Sequence, residues 1–325
     1  MPKTMSWLVV KGLRLKGYVN DPLCTPSRAD ILTGKYTHNH GMTKNEGVGG
    51  GEDYFRAQRL DQDTIATRIK AADYRTAYIG KYMNEYQGTY IPPGWNRWFA
   101  MVGDYSKESS YTVNSDGTLR TFNRAEHNET MEFWQRAETF VRANKDVPWF
   151  CHVGVHSPHG PYYPLHPHAF DNISLYNTPG RGEEDTRTPF VVRGPGVLQG
   201  ANSPALVGLI DLPPTLCELA GASTDGFDGW SLIPVMDGSV PDTWRKYLYV
   251  EHVPGDQFRM LRTNRYVYVE YPQTNERELY DMIADPYQME SQHRDPDKQA
   301  LVSEFSTRLA QFKECSGDSC RTLEV

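Results

Sequence analysis

No stretch of this 325-residue chain approaches the roughly 20 consecutive apolar residues that a membrane-spanning helix needs. A long basic run is missing too: 34 Lys and Arg stand against 41 Asp and Glu, for a formal charge of −7. Nucleic-acid binding leans on a positive footprint, so nucleic acid is not an expected partner. The opening residues, MPKTMSWLVVKGLRLKG, hold an apolar run of only four and carry no signal-peptide pattern. There is no GxSxG nucleophile elbow, which removes the serine α/β-hydrolases, and no internal repeat or low-complexity tract. Gly47 to Gly51 (GVGGG) is too irregular to be a phosphate-binding fingerprint. Cysteine is scarce, with five residues at 24, 151, 217, 315 and 320. The segment ECSGDSC has a spacing that suits a small disulfide loop in an oxidising compartment and two free thiols in the cytosol. Cys151 and Cys217 lie in apolar runs and read as small core residues.

What is present is a folded chain, 38% hydrophobic and 12% aromatic, with a length that suits about two domains. Thr64 to Ala72 reads as an amphipathic helix and Thr76 to Ile79 as a buried strand stopped by Gly80. Glu129 to Asn144 reads as a second helix, burying Phe133, Trp134, Ala137, Phe140 and Val141. It leads into Trp149 to Val155, a near-continuous apolar run of the kind found in parallel strands covered on both faces. Phe190-Val191-Val192 is another such strand, and Leu212 to Ala220 a helix with Asp211 as its N-cap. Helices alternating with apolar strands imply an α/β sheet. The texture changes near residue 245. LYVEH, FRMLRT, RYVYVEY and ERELYDM are closely spaced strands, followed by an amphipathic helix from Lys298 to Phe312. The expected domains are therefore 1–240, α/β, and 241–325, a small α+β subdomain.

The strongest local signal is Cys24-Thr25-Pro26-Ser27-Arg28, followed by Leu32-Thr33-Gly34-Lys35. Pro26 suits the first turn of a helix and Gly34 suits its end. Cys24 then sits at a helix N-terminus, where the dipole and free N–H groups favour an anion. Arg28 falls one turn on and on the same face, as an anion-binding fork beside an activated thiol. A buried structural cysteine near a helix start is the alternative.

These residues resemble the signature of the formylglycine-dependent sulfatases. Gly80-Lys81-Tyr82-Met83-Asn84 resembles the family's second block, and His156-Ser157-Pro158-His159-Gly160-Pro161 its third. Arg187 to Gly196 and Asp211-Leu212-Pro213-Pro214-Thr215 are similar to the strand and helix that follow. The C-terminal ELYDM, its following Asp-Pro and the closing cysteine pair resemble the bacterial arylsulfatase and N-acetylglucosamine-6-sulfatase branch. The resemblance implies an alkaline-phosphatase-like α/β/α sandwich and hydrolysis of sulfate esters of aryl or sugar substrates. Cys24, converted by a formylglycine-generating enzyme to formylglycine (3-oxoalanine), would be the nucleophile. Arg28 would stabilise its hydrate, Lys81 bind sulfate, and His156 bind sulfate or protonate the leaving group. His159 would line the pocket. His38 and His40 read as structural hydrogen-bonding residues. Secretion or a periplasmic location is what the resemblance implies, and a sulfated small molecule or glycan is the implied partner.

The resemblance breaks in two places. Members open with a strand ending in paired aspartates that hold calcium, whereas MPKTMSWLVVKGLRL is similar to the helix and loop after it. Near 179–183 the chain also jumps across a segment that carries an Asp-Asn metal pair and a sulfate-binding lysine. Asp171-Asn172 is a weak substitute for that pair, and Arg181 stands near the place of the lysine. Calcium wants six to eight oxygen ligands, so the expected cage is largely missing. Two readings therefore stand beside an active hydrolase: a catalytically inactive remnant, and a protein that binds sulfated glycans without cleaving them. Without its central strand the sheet is also expected to expose apolar edges.

Overall fold

The computed structural model describes residues 2–103, 109–157, 159, 186–253 and 257–325. Its strands are β1 (Leu13–Tyr18), β2 (Arg75–Gly80), β3 (Arg97–Val102), β4 (Ser110–Ser115), β5 (Thr118–Asn123), β6 (Trp149–Gly154), β7 (Arg187–Val192), β8 (Ala201–Gly208), β9 (Leu248–His252), β10 (Phe258–Arg262), β11 (Tyr266–Tyr271) and β12 (Glu276–Asp281). The chain divides into two units. One holds 45–177 with 220–223; the other holds 1–44, 178–219 and 224–325.

The 45–177 unit is built on a sheet of order β5-β4-β3-β2-β6. β2 runs parallel to β3 and β6, while β3, β4 and β5 form an antiparallel meander. The helix Ile65–Ala71 starts at Thr64, whose hydroxyl accepts from Thr67 N–H while Thr67 returns the favour to Thr64 N–H. A second helix, Glu129–Ala143, starts at Asn128, whose side chain accepts from Met131 N–H at 3.2 Å. Its Phe133 and Ala137 pack on Ile79, Phe99 and Met101. Burying each large apolar side chain there stabilises the unit by about 1.5–3 kcal/mol. Trp134 is not among them: it is 64% exposed, because one step round the helix from Phe133 it turns away from the 133/137/140 face. β6 also departs from expectation. Among the described residues it pairs only with β2, ends the sheet, and leaves Trp149 and Val153 exposed rather than covered on both faces.

The other unit has two sheets. In the first, β1 lies between β7, antiparallel to it, and β8, parallel to it. The expected helix and loop at the N-terminal end thus give way to a helical segment over residues 2–9 followed by a strand. Leu13 and Leu15 of that strand enter a core with Phe190, Val207 and Trp244. The second sheet is the antiparallel meander β12-β11-β10-β9, with a helix, Gln299–Phe312, laid on it. Val302, Phe305, Leu309 and Phe312 from that helix meet Tyr249, Leu261, Tyr268 and Leu279. Both elements match the α+β reading of this region. Cys315 and Cys320 form a disulfide. Cys217 is fully buried, whereas Cys151 is half-buried on β6, with burial raising its thiol to about 11.

Asp211 does not cap the helix Leu212–Leu219 as expected. It closes a preceding turn of 3-10 helix, accepts from Gly208 N–H at 2.7 Å, and receives both ends of the Arg245 guanidinium at 2.6 and 2.8 Å. Arg245 also donates to Glu324 at 2.8 Å, and Tyr36 and Trp230 donate to the same carboxylate. A buried guanidinium demands such partners, since an unpaired one is strongly destabilising.

Candidate functional site

Cys24 opens the ten-residue helix Cys24–Thr33 and is a half-buried free thiol. Leu23 before it is extended, and Thr25 and Pro26 are buried in the first turn. Gly34 ends the helix in the left-handed region (φ 64°), donating to Asp30 O at 2.8 Å. A Cβ there would meet Phe227 at 2.5 Å, so glycine is required twice over. Arg28 is half-buried one turn beyond Cys24. The turn before the helix is pinned by Asn20, which donates to Tyr249 O and accepts from Ile210 N–H, both at 3.2 Å.

Buried acids and histidines surround this helix. His40 accepts from Met42 N–H through Nδ1, so its Nε2 carries the hydrogen and donates to Asp30 at 2.8 Å. Burial, with the charges of His38 and Lys35, lowers His40 to about 3 and keeps it neutral. His38 binds Glu251 at 2.8 Å through Nδ1 and Cys315 O at 3.0 Å through Nε2. Burial works against its charged form, but the Glu251 carboxylate outweighs that and raises it. Both are structural hydrogen-bonding histidines. Asp21, fully buried, accepts from Thr37 at 3.2 Å and pairs with His252 at 3.0 Å.

In the other unit, Lys81 and His156 follow the ends of neighbouring parallel strands. Gly80 (φ 114°) faces Gly154 so closely that a Cβ would sit 2.1 Å from Gly154 O. Lys81 N–H donates to that same oxygen at 2.7 Å. The paired glycines let β2 and β6 deliver both side chains at one end of the sheet, where ligand sites of parallel sheets gather. Lys81 and His156 are 4% and 5% exposed. His156 Nδ1 lies 3.1 Å from Glu129, which Arg124 also engages. Burial pushes Glu129 up, but the His156 hydrogen bond and the Arg124 charge prevail and hold it below the usual carboxylate range. Glu129 therefore stays ionised and fixes the imidazole through Nδ1. His159 stacks on His156 at 5.0 Å between ring centres.

The structure thus gathers Lys81, His156 and His159 in one unit and Cys24 with Arg28 in the other. Arg181, Asp171 and Asn172 lie outside the described residues. Glu129, Arg124, Asp21 and His252 were not singled out by the sequence. Glu129 reads there only as an acid in the first turn of a helix, and Asp21 only as a residue before the motif. Calcium does not fit what is described. Among the described residues the one grouping of three His, Cys, Asp or Glu ligand atoms is His38 with Cys315 and Cys320, and a disulfide holds both sulfurs. Of the buried acids around the Cys24 helix, Asp21, Asp30 and Glu251 are each engaged by a histidine, and Asp228 by the N–H groups of Tyr36, Asn39 and Gly317.

Residues 1–177 match the sulfatase family, and residues 172–315 match the family described as N-sulphoglucosamine sulphohydrolase, C-terminal. The human N-acetylglucosamine-6-sulfatase is 24% identical over 448 residues, covering 95% of this chain and 80% of that one. A Sulf-1 homolog of Caenorhabditis elegans is 36% identical over 187 residues, which are 55% of this chain and 26% of that one. The chain thus spans about a quarter of that relative's length. Among solved structures, a protein in complex with its substrate D-glucosamine-2-N,6-O-disulfate matches with a TM-score of 0.77 at 18% identity, over 98% of this chain and 93% of that one. A phosphonate monoester hydrolase from Silicibacter pomeroyi matches with a TM-score of 0.71 at 18% identity, over 96% and 90%. These neighbours give the fold as alkaline-phosphatase-like α/β. With more than half its length matched in one continuous stretch that takes in Cys24, Lys81 and His156, the chain belongs to the sulfatase family.

Proposed function

We propose that the chain hydrolyses sulfate esters of sugars, with Cys24 converted to formylglycine by an enzyme that reads C-T-P-S-R. The observation that carries this reading is the place of Cys24, first residue of a ten-residue helix with Arg28 one turn on. Free N–H groups and the helix dipole favour an anion there. The hydrated aldehyde supplies an oxygen nucleophile for sulfur. Arg28 holds negative charge beside it with a planar fork of donors. Lys81 binds the sulfate oxygens as a compact positive charge. His156 is assigned to the same oxygens through Nε2, because Glu129 takes the Nδ1 hydrogen. His159, stacked on it, and Arg181 are assigned to substrate binding. Each preorganised donor of this kind contributes ~10²–10³ in rate. Sugar sulfates are the substrate class supported by the likeness to an N-acetylglucosamine-6-sulfatase.

The test joins mass spectrometry of the Cys24 peptide to hydrolysis assays with an aryl sulfate and with N-acetylglucosamine 6-sulfate. The expected result is an aldehyde at Cys24 and turnover that Cys24→Ala lowers by at least ~10³. An aldehyde-bearing protein that hydrolyses neither ester, or a Cys24→Ala variant that keeps turnover, overturns the reading.

A further inference from the structure

The disulfide-bonded cysteine pair sits against a histidine that takes no part in the chemistry assigned so far. Ligand atoms of Cys315, Cys320 and His38 all lie within 4.8 Å of one another. The disulfide ties up both sulfurs, so in the oxidised chain the trio has no thiolate to offer a metal. Its spacing, Cys-x4-Cys, falls within that of paired zinc-binding thiolates. His38 is held in the way a zinc-binding imidazole is held. Its Nδ1 meets the Glu251 carboxylate at 2.8 Å, while Nε2 lies 3.0 Å from Cys315 O and 4.0 Å from Cys315 Sγ. A carboxylate on the far nitrogen fixes the tautomer and the ring orientation of metal-bound histidines. The surroundings are closed: Cys315, Cys320 and Glu251 are 4%, 0% and 2% exposed.

The cysteines do not depend on their mutual bond to stay near His38. Asn39 Nδ2 donates to Cys315 O at 3.0 Å, and Gly317 N–H donates to the Asp228 carboxylate at 2.6 Å. Asp228 in turn accepts from Tyr36 N–H and Asn39 Nδ2, both at 2.8 Å. The 315–320 loop is thereby tied to the same segment that carries His38. Reduction cuts one covalent bond and leaves these hydrogen bonds in place. A tetrahedral zinc ion with bonds of ~2.0–2.3 Å holds its ligand atoms ~3.5–3.8 Å apart, so shifts of about 1 Å let the three share it. Thiolate and imidazole donors suit zinc, whereas calcium takes oxygens.

We propose that the reduced chain binds one Zn²⁺ through Cys315, Cys320 and His38, the metal closing the loop that the disulfide closes in the oxidised chain. This does not rest on the hydrolysis proposed above. A dithiol reductant supplies two electrons and two protons: the S–S bond breaks, two thiols form, and the reductant becomes a cyclic disulfide. Zinc then displaces both thiol protons and takes the Nε2 lone pair, with the Nδ1 hydrogen kept on Glu251 and water in the fourth position. In either state a closure stands at the start of the helix Asp318–Glu324.

Co²⁺ is the first probe, because thiolate ligation gives it a charge-transfer band and tetrahedral ligation gives it strong visible bands. The full chain is reduced with dithiothreitol, freed of it without oxygen, and titrated beside the oxidised chain. Cys24, Cys151 and Cys217 are free thiols in both, so the difference belongs to the 315–320 pair. The expected result is one Co²⁺ per reduced chain with the thiolate band, displaced by one Zn²⁺, and no such band in the oxidised chain. Zinc-edge X-ray absorption of the reduced, unaltered chain is expected to show two sulfurs and one imidazole. Glu251→Gln is expected to weaken zinc binding about 10–100-fold, and His38→Gln by more. A reduced chain that takes up no more Co²⁺ than the oxidised one overturns the proposal. So does a zinc donor set without the imidazole, which reads the site without any variant having to fold.

Discussion

A single side chain carries different information according to how far away its partner lies. The local placement of Cys24, Arg28, Lys81 and His156 was legible because each belongs to a short run whose neighbours explain it: a helix start, a helix turn, a strand end. Glu129 was not, because its partner His156 is 27 positions away, and His252 was not, because Asp21 is 231 away. Only the fold brings such pairs together. Glu129 gives the first test at this scale. Glu129→Gln removes the charge that both His156 and Arg124 rely on. The expected loss is 10–100-fold in kcat/KM toward an aryl sulfate, the usual size for an orienting partner of a functional histidine. Glu129→Asp, which keeps the charge, is expected to recover more of that activity than Gln does. A merely structural carboxylate would instead lower the melting temperature of both variants and leave kcat/KM alone.

Among whole elements, the legible ones had a plain local pattern. β2 declares itself as a short apolar run stopped by Gly80, the helix Glu129–Ala143 by 3–4 spacing, and the four strands of the C-terminal meander as closely spaced runs between breaks. β1 instead falls within a helix and loop by the family resemblance, although Leu13, Arg14, Leu15 and Lys16 alternate apolar and polar as a half-buried strand does. What makes it a strand is its two neighbours, β7 and β8, which are far along the chain. The short helix Asp318–Glu324 is held in a different way, by the 315–320 disulfide at its start and by Glu324 in the Arg245 network at its end. Closing so small a loop removes little chain entropy, worth about 2 kcal/mol. A Cys315→Ser/Cys320→Ser double variant is therefore expected to lose about that much in urea unfolding. A loss near zero would mean that Glu324 and Arg245 hold the helix unaided.

At the scale of the whole molecule, buried acids set how stability follows pH. Glu52 is 4% exposed; burial, opposed by Arg56, raises it to about 7. The folded chain therefore keeps that proton up to about pH 7, while the unfolded chain releases it near 4.5. Folding takes up a proton across this window, so stability is full below it and falls as pH rises through it. Glu324, raised to about 7 by burial against the pull of Arg245, acts in the same direction. His40 opposes them, since it stays neutral to about 3 and costs stability as pH falls below 6.5. Glu52→Gln isolates one contribution because it mimics the protonated acid. Relative to the unaltered chain, the variant should gain about 3 kcal/mol on going from pH 4 to pH 8 in parallel denaturant titrations. A difference that does not vary with pH would refute the raised value. The arrangement of β1 between β7 and β8 also has a consequence in time. Tyr18 pairs with Arg187, 169 residues downstream, whereas the 45–177 unit is almost contiguous. At about 5–20 residues per second of synthesis, β1 waits on the order of ten to thirty seconds for its first partner. Through that interval the Cys24 segment, which follows β1 directly, lacks the sheet that flanks β1 in the folded unit, so the proposed conversion of Cys24 is expected to be easier before β7 and β8 are made than after.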